Sequence, residues 1–556
     1  MKKWQLVMSL VLFCGFFSCK KKDDPVVTPV TPAGPLNTVA VSINNTPFDN
    51  NNIGVSNLPV IKIQFSAALL KSSAGAASIV DAATGTTVAT GSGFQNGDSS
   101  LLLQPTSALA FLNKYILNVS TDLISVQNVH LTAAVSKFFI TRIDSSRKFS
   151  LLSDNDLLDT IQKRTFKYFW DFGHPVSGLA RERNSSPETV TSGGSGFGIM
   201  AIVTAVSRNY ITRAQGLTRL QTITTFLKNT AQKFHGAFPH WLNGTSGVVI
   251  PFSTKDNGAD LVETSYLMQG LLCARQYFNG TDPAETTLRD DINTLWNGVE
   301  WDWFRQNNQD VLYWHWSSNY NWDMNVQIKG WNECLITYIL AASSTSHSIP
   351  KTVYDNGWAY NGAIKNSTSY YGYTLPLGSP SGGPLFFSHY SFLGINPTGL
   401  TDAYGDYAAQ TKNHSLINYN YCKTNPNNFY GYSDSCWGLT ASDIQNGYTA
   451  SSPTNDVGVI APTAAISSLP YTPAESMKAL KFFYYVLGDK LWKDYGFVDA
   501  FSLKDPWFAN SFLAIDQGPQ IIMIENYRSG LLWNLFTSCP ELKTGMKALG
   551  FSASYL

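Results

Sequence analysis

The 556-residue sequence carries little charge: Asp, Glu, Lys and Arg make up 14% of it, and 39 acidic residues balance 39 basic ones. It has no basic field to match the phosphate backbone of a nucleic acid, so no nucleic-acid partner is expected. Aromatic residues, by contrast, reach 13%, with 15 Trp and 27 Tyr. Because Trp and Tyr present flat apolar faces with a polar edge, this composition suits stacking on a neutral polysaccharide.

Cysteine is scarce, and the histidines are scattered along the chain. Five cysteines follow residue 19, an odd number without close spacing, so neither a disulfide framework nor a zinc site is expected. The histidines lack close ligand spacing, so we expect no metal and no other cofactor. The residues concerned are Cys273, Cys334, Cys422, Cys436, Cys539, His235, His240, His315, His389 and His414.

Long apolar runs are also missing, apart from residues 6–17, which follow Lys2 and Lys3. That run is too short for a stable transmembrane helix and predicts a signal peptide over residues 1–19. Its end, Phe-Phe-Ser-Cys, resembles a bacterial lipobox. This resemblance implies that Cys19 is lipidated and tethers the protein to the outer membrane, on the cell surface or on the periplasmic face. Lys22 and the two acids after it resemble an export tag of surface lipoproteins and fit a solvated linker equally well.

The remaining chain divides into three parts by composition and period. Residues 20–36 contain four prolines, which predicts an extended linker. Residues 37–145 alternate apolar and polar residues with period two and resemble a bacterial Ig-like β-sandwich, which we expect to act as a spacer. Residues 150–556 follow a helical period with long intervening loops, which predicts a mainly α domain built as a toroid of helical hairpins.

The helical part contains eight motifs in order: GSGFG (194–198), DNGADLVE (256–263), WNEC (331–334), GPLFFSHYS (383–391), CWGLTASD (436–443), SPTND (452–456), AIDQGP (514–519) and IENY (524–527). Together they resemble the glycoamylase-like family, glycoside hydrolase family 144, over about residues 150–550. The resemblance implies an (α/α)6 barrel and hydrolysis of β-1,2-glucan with inversion at the anomeric carbon. Despite the family's name, starch is not the implied substrate.

Asp260 and Glu263 stand three residues apart where a loop that contains Asp256 meets an apolar helical segment. On a helix this spacing places both carboxylates on one face. Paired carboxylates are the usual means of cutting glycosidic bonds, but helix N-terminal acids favoured by the helix dipole would give the same pattern. An inverting acid and base lie roughly 6.5–9.5 Å apart. Two acids three residues apart on one helix are too close together for that separation. We therefore expect these acids to form one wall of the site, where they bind sugar hydroxyls or one of them acts catalytically.

Glu333 is the first candidate for the general acid. It follows Trp331 in an otherwise apolar helical pattern. Burial beside a Trp raises the pKa of a carboxyl group, which keeps it protonated for donation to the leaving oxygen. The alternative is an ion pair with Lys329, four residues earlier.

Asp516 is the first candidate for the general base, because it lies at a break before the last long helix. Backbone N–H groups at such a position would hold a carboxylate ionised, although a plain helix cap fits the same position. Asp456 is the rival base. It lies in a loop with Pro, Thr and Asn, and such loop tips are often only turns.

Five aromatic residues are candidates for sugar contacts. Each of them alone is more often a core residue than a stacking platform, but as a group near loops some are expected to line the cleft. They are Phe197, Trp241, Trp331, Trp437 and Tyr448.

The sequence thus predicts a lipid-anchored glycoside hydrolase that cuts β-1,2-glucan, either within the chain or from an end. One alternative is a non-catalytic surface protein that retains the helical domain as a glycan-binding groove. The other is an exo-acting hydrolase of another glucan. Loss of turnover with retained binding in a Glu333→Gln variant distinguishes an enzyme from a binding protein.

Overall fold

The computed structural model of the protein describes residues 34–50 and 52–556. The predicted signal peptide, Cys19 and residues 20–33 of the predicted linker lie outside the described residues. Within the described part of the chain, no helix is both long and apolar enough to cross a membrane.

Ten strands in two five-stranded sheets open the described chain, where the period-two pattern predicts strands. Ile61, Ile63 and Phe65 point into the core between the sheets and alternate with polar residues. The strands are β1 (Thr38–Ile43), β2 (Thr46–Pro47), β3 (Asn52–Val55), β4 (Ile61–Phe65), β5 (Ala77–Asp81), β6 (Thr87–Val88), β7 (Thr90–Gln95), β8 (Ser100–Pro105), β9 (Lys114–Val119) and β10 (Val135–Thr141). The sheet orders are β2-β1-β4-β8-β7 and β3-β10-β9-β5-β6.

The chain is mainly helical from residue 154 onward, as the helical period predicts, and the mainly α class is confirmed. Ser153 caps the first helix by accepting a hydrogen bond from the N–H of Asp156. The helices are α1 (Asp154–Trp170), α2 (Ser192–Ser207), α3 (Arg213–Asn229), α4 (Leu261–Tyr277), α5 (Pro283–Asn297), α6 (Leu335–Ser343), α7 (Lys351–Asn356), α8 (Tyr407–Thr424), α9 (Pro462–Ser467), α10 (Pro473–Tyr485), α11 (Gly488–Leu491), α12 (Ala514–Ser529), α13 (Leu531–Thr537) and α14 (Pro540–Leu549).

Short antiparallel strands join the loops between these helices at several places. The first three form one sheet in the order β11-β12-β13, and the others form pairs in chain order. They are β11 (Thr189–Thr191), β12 (Trp241–Asn243), β13 (Val249–Ile250), β14 (Ala259–Asp260), β15 (His315–Trp316), β16 (Lys365–Tyr370), β17 (Tyr373–Leu377), β18 (Ala441–Ile444), β19 (Gly447–Ala450), β20 (Trp492–Lys493), β21 (Gly496–Phe497), β22 (Phe501–Ser502) and β23 (Trp507–Phe508).

Helices α2 and α4 are buried along most of their length and cross in close contact. Glycine makes this approach possible: a Cβ atom on Gly196 would lie 2.0 Å from the carbonyl oxygen of Tyr266. A Cβ atom on Gly270 would lie 2.2 Å from the carbonyl oxygen of Gly196. The first turn of α12 approaches the first turn of α2 at Gly194 and Ala514. The N-terminal turns of three helices therefore meet at one end of the core.

The strand-rich part packs directly on the helical part. Leu112 and Ile140 belong to the same apolar core as the helices. The N–H of Ile143 donates a hydrogen bond to the hydroxyl of Tyr430 at 3.3 Å, and the N–H of Lys148 donates to the carbonyl of Tyr485 at 2.7 Å. The two parts thus share an apolar and hydrogen-bonded interface.

Candidate active site

A cleft of about 430 Å³ lies where the first turns of α2 and α4 meet. Its wall is mostly apolar and rich in aromatic rings, with a few carboxyl groups and one guanidinium among them. The lining residues are Glu182, Arg183, Thr191, His240, Trp241, Phe252, Val262, Glu263, Tyr266, Trp314, Glu333, Phe386, Tyr390, Ala441, Tyr448, Ala450, Leu513 and Ile515.

Glu263 is held at this wall by the start of α2. Its Oε2 accepts hydrogen bonds from the N–H of Gly193 at 2.7 Å and from the hydroxyl of Thr191 at 3.1 Å. A side chain on Gly193 would displace this carboxylate, because a Cβ there would lie 2.6 Å from Oε2. The other oxygen, Oε1, lies 4.0 Å from Nε2 of His240. Burial raises the pKa of Glu263, while the charge of His240 and the two hydrogen bonds oppose that rise.

Asp260 is the N-cap of α4 and lies behind the cleft wall. Its Oδ1 accepts hydrogen bonds from the N–H groups of Val262 and Glu263, and its Oδ2 accepts one from Nδ1 of His240 at 3.1 Å. Burial acts to raise the pKa of Asp260. The hydrogen bond from His240 and the charge of His315 outweigh burial, so this pKa lies below its ordinary value. The fully buried Asp260 therefore orients His240 and does not line the cleft.

Asp256 and His315 complete this network beneath the cleft. Nε2 of His315 lies 3.4 Å from Oδ2 of Asp256 and 3.7 Å from Oδ2 of Asp260. Burial and the charge of Asp260 raise the pKa of Asp256 to about 7. Burial lowers the pKa of His240, but the charges of Glu263 and Asp260 outweigh it and raise this pKa to about 9. His240 is thus an imidazolium near neutral pH.

His240, Asp256 and Asp260 also form the group that could hold a cation. Each offers one ligand atom, and these three atoms lie within 4.8 Å of one another. The hydrogen bond between His240 and Asp260 already pairs two of the three without a metal.

Glu333 lines the same cleft from its position just before α6. Its backbone carbonyl accepts hydrogen bonds from the hydroxyls of Tyr266, at 3.2 Å, and Ser391, so the segment is fixed. Burial raises the pKa of its carboxyl to about 7, with a further contribution from the charges of Asp260 and Glu263. The alternative partner, Lys329, lies instead over the ring of Tyr360.

Asp516 lies in the first turn of α12, three residues after the N-cap Leu513. It is buried, and its carboxyl hydrogen-bonds to that of Asp499. Burial raises the pKa of Asp516 well above its ordinary range, and the Asp499 carboxyl raises it further. We expected backbone N–H groups to hold Asp516 ionised, and this expectation is wrong. The carboxyl of Asp516 faces a second buried acid, Asp499, instead of a capping N–H.

The acid pair continues toward the surface through Asp443 and Arg183. The N–H of Asp443 donates a hydrogen bond to Oδ2 of Asp499 at 2.7 Å. The carboxylate of Asp443 accepts hydrogen bonds from Nη1 of Arg183, at 3.2 Å to each oxygen, and from the hydroxyl of Ser511 at 2.5 Å. Burial raises the pKa of Asp499 to about 6, and the negative charge of Asp443 contributes to this rise.

Asp456 lies away from the cleft and does not fit the role of rival base. Its Oδ1 accepts hydrogen bonds from the hydroxyl of Tyr432 at 2.8 Å and from the N–H of Gly458 at 2.9 Å. It is absent from the cleft lining. The loop tip is a structural turn, as the pattern of Pro, Asn and Asp also allowed.

The five candidate aromatic residues separate into two groups. Trp241 and Tyr448 line the cleft. The other three were expected to contact sugar but lie in the core: Phe197 packs on Tyr266 and Tyr390 from within α2, Trp331 stacks on Phe392, and Trp437 donates its indole N–H to the carbonyl of Glu475. Their burial follows from their neighbours in the fold, which the sequence does not display.

Several residues of the wall have no distinctive sequence signal. Phe252 stacks on His240 with the ring centroids 4.2 Å apart, and Trp314 completes this aromatic side. Glu182 and Arg183, adjacent in the chain, contribute the charged rim. A Glu-Arg pair in a loop is too common to single out. His240 next to Trp241 is conspicuous in the sequence, but the role of His240 depends on its hydrogen bond with Asp260.

Comparison with known proteins supports the same family. The family model described as "Putative glucoamylase" matches residues 325–540. The structure of an endo-β-1,2-glucanase from Chitinophaga pinensis, in complex with sophorotriose and glucose, is 52% identical with a TM-score of 0.71, covering 73% of this chain and 100% of that one. This chain belongs to the glycoamylase-like family. The family predicted from the eight motifs is therefore confirmed.

Two further relatives, both from Parabacteroides distasonis, are similar to this chain. The structure of a β-1,2-glucanase is 36% identical with a TM-score of 0.70, covering 95% of this chain and 74% of that one. An exo β-1,2-glucooligosaccharide sophorohydrolase (non-reducing end) is 44% identical over 420 residues, which are 72% of this chain and 58% of the relative. The chain thus spans little more than half the length of that curated relative.

Proposed function

We propose that this protein is a glycoside hydrolase that cleaves β-1,2-glucan by acid/base catalysis. The observation that carries the proposal is Glu333, a carboxyl with a pKa near 7 on the wall of an aromatic cleft. Its family relatives are named for action on β-1,2-glucans or their oligosaccharides. The cleft's low charge and many rings suit a neutral sugar chain.

Glu333 is the proposed general acid. Breaking a glycosidic bond leaves an alkoxide unless a proton reaches the leaving oxygen. A carboxyl with a pKa near 7 is about half protonated at neutral pH, while an ordinary Glu would have lost nearly all of its protons. Glu333 has no ion-pair partner among the described residues, so its proton is available to the substrate.

The hydrogen-bonded pair of Asp516 and Asp499 is the proposed proton acceptor. Two carboxyl groups that share one proton carry a single negative charge, and such a pair can take a second proton from water. Asp516 lies close enough to the cleft residue Tyr390 to affect its pKa. Burial raises the pKa of the Tyr390 hydroxyl, and the charge of the Asp516 carboxyl raises it further. Leu513 and Ile515, which precede Asp516 in the chain, line the cleft itself.

Inversion of configuration is the course that we propose for this arrangement. Asp516 is 2% exposed and lies behind the wall, so it cannot contact the anomeric carbon as a nucleophile would. A water molecule would attack instead and pass its proton to the buried pair through a second water, which is an inverting course. The prediction is that the first product formed has the α configuration, because the substrate linkage is β.

The rest of the wall is proposed to bind the sugar. Glu263 keeps Oε1 free of protein hydrogen bonds among the described residues, so it can accept one from a sugar hydroxyl. The imidazolium of His240 can donate one beside it. Trp241, Phe252 and Trp314 offer apolar faces for the sugar rings.

We further propose the architecture and location that the sequence suggests. The mutually packed helices support an (α/α)6 barrel, and the two facing sheets support an Ig-like spacer. The location rests on the sequence alone: a lipid on Cys19 would tether the spacer and the hydrolase to the outer membrane. Incorporation of labelled palmitate into wild-type protein, lost in a Cys19→Ala variant, is the expected result.

The decisive experiment incubates the protein with linear β-1,2-glucan and counts new reducing ends. We expect reducing ends to accumulate with β-1,2-glucan and not with starch. The anomer released first is read by NMR, and β product would contradict inversion. Binding of β-1,2-glucan without any new reducing ends would contradict the enzymatic proposal and favour the glycan-binding alternative. Release of reducing ends from starch alone would favour the second alternative, an exo-acting hydrolase of another glucan.

A further inference from the structure

A second chamber of about 630 Å³ adjoins the cleft and has no role in the chemistry above. The two cavities share Arg183 and Tyr448, which stand at their boundary. The chamber's floor comes from the loop after Arg183 and from the hairpins β18-β19 and β22-β23. Its lining residues are Arg183, Asn184, Ser185, Asp443, Ile444, Gly447, Tyr448, Trp507, Phe508, Ala509, Asn510 and Ser511.

We propose that this chamber binds glucosyl units of the substrate that extend beyond the cleft past Arg183 and Tyr448. The inference rests on the proposed function, because it assigns the chamber to the same glucan. It goes beyond that function by naming a second set of sugar-binding residues and by predicting how activity depends on chain length.

The charge of the chamber is balanced, which suits a neutral ligand. Arg183 is paired by its Nε with Glu182 at 3.0 Å and by its Nη1 with Asp443 at 3.2 Å. Its Nη2 has no protein acceptor in the part of the chain that the structure describes. A guanidinium fixed by two carboxylates and left with free N–H groups can donate hydrogen bonds to sugar hydroxyls without attracting a charged ligand.

Polar groups of the chamber are held in place by the backbone. The side-chain amide of Asn184 donates to the carbonyl of Asn510 at 3.0 Å and accepts from the N–H of Phe512 at 3.0 Å. Ser511 donates to Asp443, as described above. Such fixed groups lose little conformational freedom when a ligand binds, which favours binding of a flexible sugar chain.

Aromatic rings at the boundary and on the far wall complete the chamber. Trp507 is partly exposed in the short hairpin β22-β23, where it pairs with Ser502. Tyr448 is 46% exposed and belongs to both cavities. Rings that are accessible on one face and anchored by a hairpin are suited to stacking on successive glucosyl units. A glucan could therefore run from the catalytic cleft along Tyr448 to Trp507.

The experiment compares kcat/KM on a long β-1,2-glucan with kcat/KM on the shortest oligosaccharide that the wild type cleaves. We expect the wild type to prefer the long chain and Trp507→Ala to reduce this preference roughly 3- to 10-fold, the loss of one stacking contact. Trp303→Ala is the matched control, because Trp303 is 41% exposed and lines neither cavity. That variant should keep the wild-type preference.

A second variant tests the chamber without removing a packed ring. Asn510 is exposed and lines the chamber, so we expect Asn510→Trp to narrow the chamber without disturbing the core. It too should reduce the preference for the long chain. An unchanged preference in Asn510→Trp, or in a folded Trp507→Ala, would overturn the inference while the proposed function stands. A wild type that cleaves neither substrate would instead refute the proposed function, and the inference with it.

Discussion

At the scale of single residues, the proposed chemistry depends on the different pKa values that buried neighbouring carboxyl groups acquire. Asp260 accepts three hydrogen bonds, one of them from His240, and keeps a low pKa, whereas Glu333 accepts one from its own backbone N–H and has a pKa near 7. Both are acids close to the same cleft. The number of donors facing each carboxyl decides which is ionised and which is protonated, and so which can give a proton to the substrate.

Glu333→Gln tests the proposed acid directly. The amide keeps the shape of the side chain but has no proton to give, so kcat should fall by about 10²- to 10⁴-fold. Binding of β-1,2-glucan and the thermal midpoint of unfolding should change little. Glu300→Gln is the matched control, since Glu300 is an exposed carboxylate that pairs with His235 away from the cleft. A kcat within a few fold of the wild type would contradict the role of Glu333.

The pH dependence of kcat/KM tests the same residue without a mutation. Burial raises the pKa of Glu333 to about 7, so the protonated form that the mechanism needs is present below that pH and is lost above it. The alkaline limb of the profile should therefore have an apparent pKa of about 7, and an ordinary Glu would place it nearer 4.5. A profile that stays flat up to pH 9 would be inconsistent with Glu333 as the acid.

At the scale of elements, the close crossing of α2 and α4 builds the wall of the cleft. Glycines in the first turns of α2 let the backbone N–H of Gly193 reach Glu263 and let Gly196 touch the main chain of α4. Glycine costs helix stability, but a larger residue would push the two helices apart. The same contact that packs the core therefore positions a carboxylate for the substrate.

Gly196→Ala tests this contact. A Cβ atom would lie 2.0 Å from the carbonyl oxygen of Tyr266, and neither rigid backbone can move away cheaply. The free energy of unfolding should fall by about 1–3 kcal/mol or more, measured by urea denaturation. Gly75→Ala is the control, because nothing lies within 4 Å of a Cβ there. Equal stability of the two variants would show that the crossing tolerates a side chain.

The sequence predicts the elements better than it predicts the contacts between them. Apolar periodicity is sufficient for α1, whose buried Leu157, Leu158 and Ile161 recur at helical spacing. The first turns of α2 are rich in glycine and show no helical apolar pattern, because their helix depends on contact with α4. Glu333 could be nominated because a carboxyl in an apolar stretch is conspicuous by itself. The pairing of Asp516 with Asp499 could not, since it joins two segments that only the folded chain brings together.

At the scale of the whole molecule, the strand-rich part packs against the helical part and is not joined to it by the chain alone. Phe149 packs on Tyr484 with ring centroids 4.7 Å apart, beside the hydrogen bond from Lys148 to Tyr485. On the other side of the interface, the ring of Tyr430 lies against Gly54, where a Cβ atom would be 3.1 Å away. These contacts make the two parts stabilise each other.

Tyr430→Ala tests this coupling. The variant removes a ring at the interface and the acceptor of the Ile143 N–H, so we expect a loss of roughly 1–3 kcal/mol. Calorimetry should show the strand-rich part unfolding at a lower temperature than the helical part, while turnover of β-1,2-glucan at room temperature is unchanged because Tyr430 is remote from the cleft. Tyr371→Ala is the matched control, since Tyr371 is 43% exposed in a hairpin turn. If both variants unfolded like the wild type, the interface would contribute no coupling and the two parts would be independent.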